Sequence, residues 1–359
     1  MKKSLHISVV LLLSLLVSLF LLSFISSGND HLLFYAKLIW SLVISFLGFC
    51  IYRSGTISKY RSILFILIAG SFFLEFKLFR FISFTKTTIP PYCHIAQAPT
   101  LSNFIYQQFL ALTSGQWLVW GLLTLGFLWL LLIFTIGQGI CSWVCFYGGI
   151  DEACSKIAKT PFISLKIPKL WRDFPIAFLI FLLIVSFLQG LPVFCNWFCP
   201  FKMTEAFWDT YPLVRIVQAV FFWIALCGFV IILPILTKKR TFCALICPFG
   251  ALVSICGKAS PYQVTINQDK CIHCGKCQDV CPVLAIEKGD KDKYAIINFC
   301  NKCGKCIDAC PVDAISILSG KDGRQVDSRD IFIFLALLVT GVISGSFVPR
   351  LFLQLTGLR

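Results

Sequence analysis

Cys271-Ile-His-Cys274-Gly-Lys-Cys277-Gln-Asp-Val-Cys281-Pro282 recurs 29 residues on as Cys300-Asn-Lys-Cys303-Gly-Lys-Cys306-Ile-Asp-Ala-Cys310-Pro311. Both runs read C-x2-C-x2-C-x3-C-P. A tight loop of three thiolates wraps one corner of a compact inorganic core, and the fourth thiolate comes from farther away. Zinc knuckles pair two C-x2-C units instead, without the third cysteine or the trailing proline. The spacing therefore predicts two [4Fe-4S] clusters. When two such runs pair, the fourth cysteine of each serves the other cluster. Cys271, Cys274, Cys277 and Cys310 are expected to hold one, and Cys281, Cys300, Cys303 and Cys306 the other. Pro282 and Pro311 neither continue a helix nor donate a backbone hydrogen bond, and so turn the chain at each crossover. His273 reads as a spacer inside its loop.

The runs sit in a polar insert within an apolar chain. Of 359 residues, 58% are hydrophobic and 14% charged, against about 25% charged in soluble domains. The apolar residues form blocks of about 20, the length that crosses a bilayer core. Seven spans are expected, near 7–26, 32–52, 62–83, 117–138, 175–194, 214–237 and 331–348. The fold class is mainly α: a polytopic membrane helical bundle of about 7 spans with an inserted α+β ferredoxin-like domain carrying the two clusters. The expected divisions are 1–83 (three spans), 84–116 (an extracytoplasmic loop), 117–259 (a membrane core of three spans), 260–320 (the cluster domain) and 321–359 (a C-terminal span). The apolar stretch after Met1-Lys2-Lys3 is longer than a signal peptide's core and is read as an uncleaved first span. Glu75, Lys77 and Arg80 place the end of the third span at the interface, where long cations reach water; a charge cluster on a proton or quinone path is the alternative. Gly341 and Gly345 read as a small-residue contact between helices, within the chain or between copies.

The formal charge is +15, and its distribution argues against nucleic acid as a partner. Lys2 and Lys3; Arg53, Lys59 and Arg61; Lys156, Lys159, Lys166, Lys169 and Arg172; and Lys238, Lys239 and Arg240 all fall on alternate loops, one face of the membrane by the positive-inside rule. The N-terminus and the cluster insert are thus expected in the cytoplasm, and the protein in the cytoplasmic (inner) membrane as a multi-pass chain in contact with lipid.

A second repeat lies outside the insert. Cys141-Ser-Trp-Val-Cys145-Phe-Tyr-Gly148, followed by Cys154, matches Cys243-Ala-Leu-Ile-Cys247-Pro-Phe-Gly250, followed by Cys256. A partial copy is Cys195-Asn-Trp-Phe-Cys199-Pro200-Phe201. One span of about 30 Å separates consecutive copies, so the first and third share a face. Cysteines four apart in a helical turn point the same way. A further Fe-S cluster on Cys141, Cys145, Cys243 and Cys247 is therefore expected, with Cys154 and Cys256 as alternative ligands; buried reduced thiols are the competing reading. On the opposite face, Cys93, His94, Cys195 and Cys199 could make a metal site, or the cysteines a disulfide or free thiols. Cys50 and Cys227 read as packing residues.

Nothing in the sequence points to haem or flavin. His6, His31, His94 and His273 do not pair across spans, C-x-x-C-H is missing, Ser54-Gly55-Thr56 is too short for a covalent flavin site, and no phosphate loop occurs. The insert, with Val283-x-Ala285-Ile286 and Val312-x-Ala314-Ile315 after its C-P pairs, resembles the bacterial two-cluster ferredoxins. Together with Cys-Ser-Trp-Val-Cys and Cys-Ala-Leu-Ile-Cys-Pro-Phe-Gly-Ala-Leu, residues 117–320 resemble the NapH/NosR/RdxA-like membrane ferredoxins. Phe146 in place of proline, the Cys195–Cys199 pair and the span after the insert depart from the NapH pattern. The resemblance implies an electron-transfer component rather than a stand-alone enzyme. Such a component relays single electrons between the quinol pool or a cytoplasmic donor and a partner reductase or metalloenzyme. The alternative is an assembly or maturation factor that reduces a partner's metal centre; a redox sensor would need an output domain.

Overall fold

The computed structural model describes residues 2–28, 30–75, 98–115, 131–165, 168–190, 193–199, 212–289, 293–320 and 326–357. The chain divides into two compact units, Met1–Ile82, Phe134–Ile150 and Ala259–Arg359 in one, Ser83–Ile133 and Asp151–Lys258 in the other.

The first unit opens with α1 (Lys2–Ser27), α2 (His31–Ser54) and α3 (Ile57–Phe73). Asp30 caps α2, its carboxylate accepting from Leu33 N at 3.0 Å, and Gly55 ends α2 at φ +72°, a conformation only glycine adopts without strain. The outer side of α1 exposes Val10, Leu13, Val17 and Ile25, as a lipid-facing surface would. Its inner side packs on α4 (Arg329–Ser344). A Cβ on Gly341 would stand 2.6 Å from Leu19 Cδ2 and 3.3 Å from Ile44 Cδ1, so this glycine serves packing inside the chain. Trp40 Nε1 donates to Ser344 Oγ at 2.8 Å and Tyr52 OH to Asp330 O at 2.9 Å. After α4 the chain bends by 47° into α5 (Val348–Leu355).

The cluster insert belongs to this unit. Strand β1 (Tyr262–Ile266) pairs antiparallel with β4 (Ile315–Ser319), with Tyr262 opposite Ser319, and β5 (Val326–Asp327) adds to β4. Strands β2 (Ile286–Lys288) and β3 (Tyr294–Ile296) form a separate hairpin. Ile286 and Ile315, a few residues after the two C-P pairs, thus begin strands β2 and β4.

In the second unit, the helix Leu101–Thr113 packs on Phe174–Gln189: Asn103 Nδ2 donates to Ser186 O at 2.9 Å and Ser102 Oγ to Leu183 O at 3.1 Å. Phe181, Ile184 and Leu188 face outward. Ile224–Ile232 winds as a π-helix, and Thr241 Oγ1 donates to Phe229 O at 2.6 Å, a local answer to a carbonyl that leaves the regular ladder.

Among the described residues three helices are long and apolar enough to cross a membrane, Val9–Ser27, His31–Ser54 and Leu213–Thr237, with a fourth if the bent pair α4–α5 is one span. Phe174–Gln189 is apolar but shorter, and most of 117–138 and the end of 62–83, with Lys77 and Arg80, lie outside the described residues. The structure is thus mostly helical with a ferredoxin-type insert. The seventh span expected at 331–348 falls on Arg329–Ser344, and the chain breaks before Val348 where Ser346 N bonds Ile343 O at 3.3 Å and Phe347 N bonds Ser344 O at 3.2 Å.

Candidate iron-sulfur centres

The two cysteine runs fold as backbone copies. Gly275 at φ +75° opens the short helix Lys276–Val280, and Gly304 at φ +80° opens Lys305–Ala309. Cys281 and Cys310 end these helices at ψ 115°. His273 and Lys302 take φ +54° and +53°, and Leu284 and Asp313 φ +56° and +48°. Left-handed backbone costs about 1–2 kcal/mol for a residue with a Cβ, so four such residues in register mark a loop bent around something.

What lies inside the first bend is a small cavity. Its sulfur lining is Cys271, Cys274, Cys277 and, from the second run, Cys310; Ile266, Ile272, Val312 and Ile315 close it with hydrocarbon. The second run gathers the complementary set. Burial pushes the Cys300 thiol up to about 12, and Cys281 and Cys303 act on it in the same direction. Burial likewise raises Cys306, which feels Cys300, Cys303, Cys281 and, more weakly, Cys277. Thiolates gathered this closely would repel one another, and a cationic core would relieve that repulsion. Ala285 N donates to Cys281 Sγ at 3.2 Å and Ala314 N to Cys310 Sγ at 3.3 Å, the backbone contacts that tune cluster sulfurs.

Among the described residues no three His, Cys, Asp or Glu side chains converge on a point fit for a single ion. Zinc would need four ligands about 2.0–2.3 Å from one centre. Thiolates arranged around a volume suit a multi-iron core, and the donor set fits [4Fe-4S] chemistry.

The membrane-proximal copies share a local structure that differs from the single helical turn expected. Cys141 lies in Ile140–Trp143 and Cys243 in Thr241–Leu245; the chain then breaks, and new helices begin at Phe146 and Pro248. Val144 N and Cys145 N both bond Ile140 O at 3.0 Å, just as Ile246 N and Cys247 N both bond Phe242 O at 3.1 Å. Cys145 and Cys247 therefore sit at helix starts. Cys247 Sγ accepts from Gly250 N at 3.4 Å. Pro248 fits the first helical position, where its missing N–H is not needed. Phe146 takes that place in the first copy and stacks on Phe72 at 3.6 Å. Cys141 and Cys145 belong to the first unit, Cys243 and Cys247 to the second. Cys195 is buried in the short helix Val193–Trp197. Cys93 and His94 lie outside the described residues, and no disulfide joins any described cysteines. Burial raises the thiols of Cys154 and Cys256.

Several residues the spacing did not single out surround these motifs. Arg61 and Arg240, expected among the basic loop residues, are both fully buried. Arg61 Nη1 donates to Ser142 O at 2.5 Å. Arg240 lies 3.9 Å from Glu152, also fully buried, and its Nη2 donates to Cys243 Sγ at 3.3 Å. Asp151 Oδ2 accepts from Cys243 N at 3.0 Å. The available signal was an adjacent Asp151-Glu152 inside the first copy where the third carries Val253-Ser254.

Burial pushes the Asp151 carboxyl up from 3.8 to about 7, while Arg240 and the Cys243 N–H pull it back. A carboxyl raised on folding adds stability that is complete below its unfolded value and is lost as pH climbs through its folded value. Stability is therefore expected to fall between about pH 4 and about pH 7, and Asp151→Asn to flatten that slope. Melting temperatures across this range check it; an unchanged slope in the Asn variant assigns the dependence elsewhere.

The fold and the two sulfur-lined sites define an iron-sulfur protein of ferredoxin type with helices of membrane-crossing length. Sequence comparison agrees. Residues 263–319 match the 4Fe-4S dicluster domain family, 240–285 match a second dicluster domain family, and 117–169, 174–203 and 219–260 each match a 4Fe-4S binding domain family. The three matches to the binding domain fall on the three C-x3-C copies. The chain is similar to the protein named electron transport protein YccM of Escherichia coli (strain K12), 25% identical over 152 residues, 40% of this chain and 41% of YccM. It is similar to the uncharacterized protein MJ0749 of Methanocaldococcus jannaschii, 26% identical over 161 residues, 43% of this chain and 55% of that one. Similarity extends to the methylamine utilization ferredoxin-type protein MauN of Methylobacillus flagellatus, 26% identical over 153 residues, 41% of this chain and 48% of MauN. The chain thus spans about half the length of the curated relatives it matches. No solved structure matches.

Proposed function

We propose that this protein relays single electrons through iron-sulfur centres at a membrane, between the quinol pool or a cytoplasmic donor and a partner reductase or metalloenzyme. The cavity that joins Cys310 to Cys271, Cys274 and Cys277 carries this reading, because bound [4Fe-4S] groups exchange one electron at a time without moving heavy atoms. In this reading the two interleaved quartets are the ligand sets, residues 260–320 are the cluster domain, and about seven spans hold it at the cytoplasmic face of the inner membrane. A NapH/NosR/RdxA-like role is the finer assignment, supported by the C-x3-C copies and by relatives named for electron transport and as ferredoxin-type. Further iron-sulfur ligands among the C-x3-C copies belong to this reading, supported by the 4Fe-4S binding domain matches over residues 117–169 and 219–260.

Iron and acid-labile sulfide counting on anaerobically purified protein, with EPR of the reduced state, tests this. About eight irons are expected from the two quartets and about twelve if the membrane pairs are filled. Colourless protein without labile sulfide would overturn the relay.

A further inference from the structure

The two runs coincide in backbone and differ in what stands at one matched position. His273 and Lys302 occupy the same left-handed place, 29 residues apart. His273 is exposed, near the Tyr294 ring at 6.5 Å, and so are its neighbours Ile272 and Cys274. Lys302 is only 5% exposed. Its Nζ donates to Ser260 Oγ at 2.9 Å and to Ile136 O at 3.3 Å, and lies 5.9 Å from the centre of the Phe332 ring. Among the described residues no carboxylate pairs with it. Burial works against its charge, and Cys300 favours it.

The loop holding Lys302 is also the one fastened to the helical part of its unit. Asn301 O accepts from Ser142 Oγ at 2.6 Å and Asn298 O from Gln138 Nε2. Asp308 accepts from Ile57 N at 3.0 Å and from Ser58 N at 2.6 Å at the start of α3. The second quartet therefore stands against the helices, and the first faces outward.

We propose that Lys302 raises the reduction potential of the centre on Cys281, Cys300, Cys303 and Cys306 above that of the centre on Cys271, Cys274, Cys277 and Cys310, and so directs electrons from the exposed run toward the helices. The inference rests on the iron-sulfur reading above. Reduction adds one negative charge to a centre. A buried cation beside that centre stabilises the added charge, because low-dielectric surroundings screen it poorly. Burial alone works the other way, since water solvates the more charged reduced state. Lys302 offsets that penalty for the second quartet, while at the matched position of the first His273 stands exposed to water. One electron leaves the reduced first centre and enters the oxidised second; no bond forms and no proton moves.

EPR-monitored redox titration of the full chain, purified without oxygen, tests the proposal. Lys302→Gln is expected to lower the potential of one centre by about tenfold in its reduction equilibrium, 59 mV for a one-electron couple, with iron content unchanged. Lys302→Arg keeps the charge and is expected to keep the potential. Full iron content with unmoved potentials in Lys302→Gln overturns the proposal, as does an equal shift in Lys302→Arg. Should Lys302→Gln fail to retain iron, the Arg variant and Ser260→Ala decide, since both retain the cation: native potentials support the charge role, and a downward shift in both overturns it. Unaltered protein without iron would instead defeat the iron-sulfur reading itself.

Discussion

Cys310→Ala is expected to remove about four of the irons, and to remove them from the centre whose other ligands belong to the opposite run. Cys310 lines one cavity with Cys271, Cys274 and Cys277, while Cys281 acts on Cys300 and Cys306. Loss of one thiolate leaves a corner iron open to solvent, and a [4Fe-4S] core rarely survives that. Two double variants read the wiring directly. Cys310→Ala with Cys271→Ala strikes one centre twice and should cost no more iron than Cys310→Ala alone. Cys310→Ala with Cys300→Ala strikes both centres and should leave the quartets without iron. Such non-additivity is the signature of a shared unit. Iron and labile sulfide counts with EPR report it, and the reverse pattern would mean that each run closes its own cluster. Cys310→Ala should also unfold at lower temperature, because a cluster joining the two runs would tie both short helices together.

Arg240→Met is expected to destabilise the protein by about 3–5 kcal/mol, the cost of stranding one member of a buried ion pair. Arg240 and Glu152 are both fully inside, and Arg240 reaches the Cys243 sulfur as well. Were Arg240 the membrane-flanking surface charge that its place after Lys238-Lys239 suggests, its removal would cost about 0–1 kcal/mol. The two outcomes are far enough apart for thermal denaturation in detergent to separate them. Pairing Arg240→Met with Glu152→Leu removes both charges and should recover part of the loss, since apolar replacement of a whole buried pair is often neutral. A single-variant cost below about 1 kcal/mol would show that the pair contributes little.

The cysteine spacing was legible because thiolate ligation leaves a fixed covalent pattern. C-x2-C-x2-C lets one tight loop present three thiolates to a corner of a core, and the C-P ends predict the crossover to the other run. The apolar blocks were legible too, since any backbone crossing lipid must close its own hydrogen bonds along about 20 residues. The C-x3-C copies were half legible. Their repetition was plain, but the break that places Cys145 and Cys247 at helix starts depends on paired bonds to Ile140 O and Phe242 O, which the four-residue spacing alone does not specify.

The sequence by itself determined the cysteine spacing that predicts iron-sulfur ligation and the apolar blocks that form long helices. These follow from local spacing and local hydropathy, which act over a few residues. Only the tertiary structure decided which charges lie inside. Arg61, Arg240 and Lys302 look alike in a string of basic residues. Their burial depends on partners 81, 88 and 166 positions distant, at Ser142, Glu152 and Ile136. A charge is stable inside a protein only where the fold delivers an acceptor or counter-charge to it, and that delivery is a property of the folded chain.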